Sequence, residues 1–122
     1  PAFNDASWRT GTGSGTGFEQ GSPIGVWLLN EPAGTTEAAD ASGSGHTATP
    51  NGVGPRFEAA SPLPTSTAAD FDGRGGLTVP YSAKLNPPTT FSFAAWVRPT
   101  GGNGYRAVVS SRTGTPGRLT IQ

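Results

Sequence analysis

The sequence predicts an all-β fold built from short antiparallel strands, and three observations carry that prediction. The 122 residues include 19 glycines and 12 prolines, a density of turn formers that long helices do not tolerate. The apolar and aromatic residues, three Trp and six Phe among them, fall in short runs that alternate with polar residues. No stretch of ten or more residues keeps a 3.6-residue period, so helix is confined to a single turn near Glu37–Asp40 or Ser82–Leu85. Disorder is the competing reading of so much Gly and Pro. It usually comes with few aromatics and a large net charge, whereas the charge here is zero.

The elements follow in order. Residues 1–22 combine FNDASW, a Gly/Thr/Ser stretch and GFE, and read as a linker or as the end of a preceding β module. Ile24–Asn30 (IGVWLLN) is the first strand, with Ile24, Val26 and Leu28 on one face and Trp27 and Leu29 on the other, both buried. EPAG and DASGSG are turns, and SPLPTST, with two prolines, is a loop or an edge. Ala68–Phe71 and Leu77–Val79 flank Asp72–Gly73, a strong hairpin signal because Gly takes positive φ without steric cost. Tyr81–Pro88 is a loop around Lys84. Phe91–Arg98 is the best strand, with Phe91, Phe93, Ala95 and Val97 on one face and Ser92, Ala94, Trp96 and Arg98 on the other. GGNG turns the chain, Tyr105–Ser111 returns as a strand, and Arg118–Gln122 begins another.

Composition narrows the function classes. The length admits one domain. Eight basic residues balance eight acidic ones and are scattered, which argues against nucleic acid as the partner. No apolar run is long enough for a membrane-spanning helix. There is no Cys, which excludes disulfides and thiolate metal sites. The chain begins at Pro1 with no visible signal peptide, as expected of a processed or trimmed piece. The lack of Cys and Met, with Gly/Thr/Ser-rich loops, fits an exported bacterial protein.

From residue 23 to residue 122 the order of motifs resembles the LamG-like, concanavalin A-like jelly-roll family. GVWLLNEPAGTTEAADASGSGHTAT is similar to its opening, a strand ending in an acidic residue before D-x-S-G-x-G. AADFDGRGGLTVPYSAKLNPPTTFSFAAWVRPT is similar to its F-D-G, V-x-V-P, L-N-P and F-T-x-x-A-W-V-x-P elements, and GYRAVVSSR to the next strand. Residues 1–22 resemble the tail of a galactose-binding-like β-sandwich. The resemblance implies a jelly-roll sandwich of about eight strands, incomplete at the C-terminus of this sequence. It further implies a secreted or cell-surface protein of bacterial or phage origin. The far edge would then be completed by a missing half, by a second chain or copy, or by an assembly.

Such modules bind glycans or protein partners and do no chemistry. On the candidate strand pair, Trp96 offers a stacking platform, with Arg98 and Tyr105 as polar neighbours, and these three are the candidate ligand-binding residues. Trp96 packed in a second layer is the alternative. The resemblance also implies a structural calcium, with Asp40 at the Asp of D-x-S-G-x-G; Asp72 or a residue of the missing half would complete the site. The plainer reading of both is that each orders its own turn through backbone N–H groups. Enzyme readings are thin. Leu29–Pro32 spells LNEP, but a glycosidase Glu31 would need a second carboxylate and a barrel-sized scaffold. Asp70 and Asp72 are the closest acids for glucanase-type chemistry, and a turn glycine follows them. His46, the single histidine, lies outside any G-x-S-x-G context and reads as an exposed loop residue. The expected function is a non-catalytic binding module; the alternative is a structural or assembly component with no small ligand.

Overall fold

A computed structural model describes residues 23–61, 63–101, 107–111 and 119–121. The choice between a linker and a module tail at 1–22 lies outside the described residues. Within them the fold is all-β: antiparallel strands in two small sheets, with one 3-10 turn at Ala83–Leu85. No helix among the described residues is long and apolar enough to cross a membrane.

The strands β1 (Thr49–Gly52), β2 (Arg56–Ala59), β3 (Ala68–Asp70) and β4 (Gly75–Val79) make one antiparallel ribbon shared between the sheets. β1 pairs with β4 from Thr49↔Thr78 to Gly52↔Gly75, and β2 with β3 from Arg56↔Asp70 to Ala59↔Ala68. Seven steps along each arm from Gly52↔Gly75 lead to Ala59↔Ala68, so both ends of the ribbon keep one register. Between them the register slips by one and recovers. The step from Gly52 to Arg56 is four residues where the matching step from Gly75 to Asp70 is five. From Arg56 to Ala59 it is three where Asp70 to Ala68 is two. A left-handed residue lies in each longer step: Gly73 at φ 82° and Glu58 at φ 59°. Extra residues of this kind bend a ribbon and sharpen its twist, and they flank the corner where the chain passes from one sheet to the other.

This corrects the hairpin expected at Asp72–Gly73. The strands on either side of it belong to different sheets, so the turn is a corner between layers. The Asp-Gly signal is local, but the partner of β4 is β1, which the local turn does not select. The corner is tight. A Cβ at Gly75 would lie within 2.5 Å of both the Val53 N and O and would meet the Asn51 carbonyl. Only glycine lets the two arms approach this closely.

The larger sheet has the order β1-β4-β6-β5, with β5 at Val109–Ser110 and β6 at Leu119–Ile121. Both lie within the strands expected at Tyr105–Ser111 and Arg118–Gln122. β1 and β2 carried no strand signal, since TPNG and RFEA show neither alternation nor β-branched enrichment. Pro50 is tolerated because β1 is an edge strand. Central β4 is buried from Gly76 to Val79. Leu77 and Val79 join Phe57 of β2, Ile121 of β6, Ala38 and Ala48 in one cluster, so both sheets face a single core. Each large side chain buried there contributes about 1.5–3 kcal/mol.

Two expected strands are not ladders in this structure. Among the described residues the run Ile24–Asn30 makes a single bridge, Trp27↔Asp40. Leu29 has φ 56°, a left-handed conformation that ends an extended run. Trp27 and Leu29 pack against the core while Ile24 and Leu28 are exposed, so one face is buried, not two. The run Phe91–Arg98 has no ladder partner among the described residues, and every residue from 91 to 101 is exposed. Alternation defines the two faces of a strand but does not supply the neighbour whose N–H and C=O groups complete it.

Candidate functional site

Two regions hold the candidate residues. The first is the turn from Asp40 to His46, which the sequence builds from Asp, Ser and Gly. Gly43 and Gly45 take φ near 80°, as the tight winding of this loop requires. It closes around one carboxylate. Asp40 Oδ1 accepts the Val26 and Ser42 N–H groups, each at 2.9 Å, and Oδ2 accepts the His46 N–H at 2.9 Å. His46 Nδ1 lies 3.4 Å from the same Oδ2 and 3.0 Å from the Ile24 carbonyl, which can only accept, so this nitrogen carries the proton. The Ser42 hydroxyl donates to the Ile24 carbonyl, and the Trp27 indole N–H donates to the His46 carbonyl at 2.8 Å. The loop and the segment from Ile24 to Trp27 are thereby tied together.

Asp40's side chain is 1% exposed. Burial by itself pushes its carboxyl up. The donors from Val26, Ser42 and His46 outweigh that and hold it well below the usual carboxylate range. As the loop stands, both oxygens are committed to N–H groups. Asp72 serves another loop. Its Oδ1 accepts the Arg74 N–H at 2.9 Å and its Oδ2 meets the Arg74 guanidinium at 2.6 and 2.7 Å. That guanidinium, then the backbone N–H, lowers the Asp72 carboxyl. Asp40 and Asp72 thus bond to different partners, and the described residues contain no group of three or more His, Asp or Glu placed to hold a metal.

The other two acids singled out from the sequence, Glu31 and Asp70, each have a local partner. Glu31 Oε1 accepts the Ala39 N–H at 2.9 Å, so it fastens the Glu31 turn to the strand-like segment before Asp40. Asp70 pairs with Arg56 at 3.0 Å across β2 and β3. His46 is nearly buried, not exposed as its loop position suggested; the signal missed was the adjacent Asp40, which draws the whole turn inward.

The second region is the segment from Phe91 to Arg98. Trp96 is 88% exposed, and Arg98, two residues on, is exposed on the same segment. Tyr105 lies outside the described residues. Phe93, Ala94, Ala95, Trp96 and Val97 line an open cleft of about 550 Å³ together with Val108. Val108 was not singled out from the sequence, because nothing local links it to Trp96. A separate hydroxyl-rich cleft of about 440 Å³ is lined by Asn30, Pro64, Thr65, Ser66 and Thr67. Compared with known protein families, curated proteins and solved structures, the chain matches none.

Proposed function

We propose that this chain is a non-catalytic binding module of the LamG-like jelly-roll type, from a secreted or cell-surface protein, whose contact surface is the segment from Phe91 to Arg98. One observation carries the reading: an indole 88% exposed at Trp96, two residues before the exposed Arg98, on a segment that the rest of the described chain leaves uncovered. An exposed ring stacks on the apolar face of a sugar while a neighbouring Arg bonds its hydroxyls. The jelly-roll reading is supported by the ribbon, whose outer pair of strands lies in one sheet and whose inner pair lies in the other. A ribbon folded over in this way is how two antiparallel sheets come to share a core. The non-catalytic reading is supported by Asp70 and Asp72, each paired with an arginine.

The test is a titration of the intact chain with a panel of plant, bacterial and animal glycans, followed by tryptophan fluorescence. Quenching by one glycan class in the wild type, lost in Trp96→Ala, is the expected result. No response to any glycan at millimolar concentration would sink the carbohydrate reading. The second reading, an assembly component, is favoured by the cleft beside Trp96, whose lining side chains are all apolar.

A further inference from the structure

We infer that the cleft between Asn30 and the loop at residues 64–67 is a second binding site, which takes a neutral, hydroxyl-rich ligand the size of one or two sugar rings. Its volume is about 440 Å³, within the range of small-molecule sites. Four of its lining side chains are uncharged polar groups, the amide of Asn30 and the hydroxyls of Thr65, Ser66 and Thr67, and the other is the ring of Pro64. No charged side chain lines it, so a phosphate, a carboxylate or an amine finds no counter-charge there. No large apolar side chain lines it either, so an apolar ligand has little surface to cover. A polyol is the class that remains, because it satisfies hydroxyl and amide groups without taking a charge out of water.

The polar groups are uncommitted. Among the described residues, the side chains of Asn30, Thr65 and Thr67 have no hydrogen-bond partner. The Ser66 hydroxyl donates to the Thr67 carbonyl at 3.1 Å, so its lone pairs remain to accept. The planar amide of Asn30 both donates and accepts, which matches two adjacent hydroxyls of a sugar ring. The frame is fixed on both sides. Leu29 packs against the core and Glu31 Oε1 accepts the Ala39 N–H at 2.9 Å, so Asn30 is held between two anchored neighbours. Leu29 takes a left-handed backbone at φ 56°, a costly conformation for a residue with a Cβ and one that recurs at ligand sites. On the loop, the Leu63 N–H donates to the Ser61 Oγ at 3.1 Å and the Ser66 N–H to the Leu63 carbonyl at 3.3 Å. A frame set before binding loses less to ordering. The cleft shares no lining residue with the one beside Trp96, and it stands whether or not the segment from Phe91 to Arg98 binds a glycan.

Heteronuclear NMR of the intact, isotope-labelled chain tests it. The probes are the methyl glycosides of glucose, galactose and mannose, with cellobiose and lactose as larger sugars. Glucuronate and glucosamine are the charged probes. The expected result is a saturable shift of the Asn30 side-chain amide and of the Thr65, Ser66 and Thr67 backbone amides with a neutral probe, at a dissociation constant on the order of a millimolar. The charged sugars should bind more weakly. Asn30→Ala and Thr65→Ala each remove an exposed side chain, which leaves the core untouched. Each should weaken binding by about five-fold per hydrogen bond lost. Trp96→Ala should leave the shifts in place, which separates this site from the Trp96 contact. No shift at these positions with any neutral probe at high millimolar concentration would overturn the inference. So would equal binding of a charged sugar, undiminished binding in either cleft variant, or loss of the shifts in Trp96→Ala. Shifts confined to residues 91–98 would uphold the Trp96 contact and overturn the second site.

Discussion

Replacing Asp40 by Asn tests the account of the loop at its most committed atom. The amide oxygen, at the Oδ1 position, still accepts the Val26 and Ser42 N–H groups. The amide nitrogen then stands where Oδ2 accepted the His46 N–H, and two donors face each other. The variant loses a hydrogen bond to a charged acceptor and leaves a shielded N–H unmade, at a cost of about 1.5–3 kcal/mol. For a domain of this size that lowers the thermal midpoint by roughly 5–15 °C. Near-ultraviolet circular dichroism is the assay, because Trp27 is bound to the same loop through the His46 carbonyl. The pH dependence has a definite sign. The folded state holds the Asp40 carboxyl below its ordinary value of 3.8, so its contribution is fully present above 3.8. It is lost as pH falls through the lower folded value. The gap between wild type and Asp40→Asn should therefore be constant near neutrality and narrow in acid. Midpoints within about 2 °C of each other at pH 7 would refute the reasoning, since surface changes alone give differences that small.

Three further outcomes follow from the ribbon and the core. Gly75→Ala should cost more than about 3 kcal/mol, because its Cβ would strike the Val53 backbone; Gly73→Ala should cost only about 1 kcal/mol, because its φ of 82° is strained for Ala but the space is open. Urea titration of the pair checks the contrast, and equal losses would remove the claim that the corner is closed by contact. Thr78→Val should stabilise by about 1 kcal/mol, read as a higher urea midpoint, because its buried Oγ1 has no hydrogen-bond partner among the described residues. Asp70→Asn should change the urea midpoint by less than about 0.5 kcal/mol, since its bridge to Arg56 is largely exposed.

The sequence by itself determined the fold class, the turns and much of the local chemistry. Gly, Pro and Asp act on the backbone within a few residues, so the winding of Asp40–His46, the bend at Asp72–Gly73 and the helical turn at Ala83–Leu85 follow from their own residues. Leu77–Val79 was legible as a run beside the Asp72–Gly73 turn, and all three of its residues are buried. What only the tertiary structure decided is pairing. TPNG and RFEA become strands because β4 and β3 lie beside them, while FSFAAWV, the clearest alternating run, joins no ladder among the described residues. Asp40, legible as a turn residue, becomes nearly buried because the segment from Ile24 to Trp27 folds over it from fourteen or more positions away. Backbone conformation is set by local sterics and is written residue by residue; a ladder needs a second strand brought up by the core, and no single run of sequence names its partner.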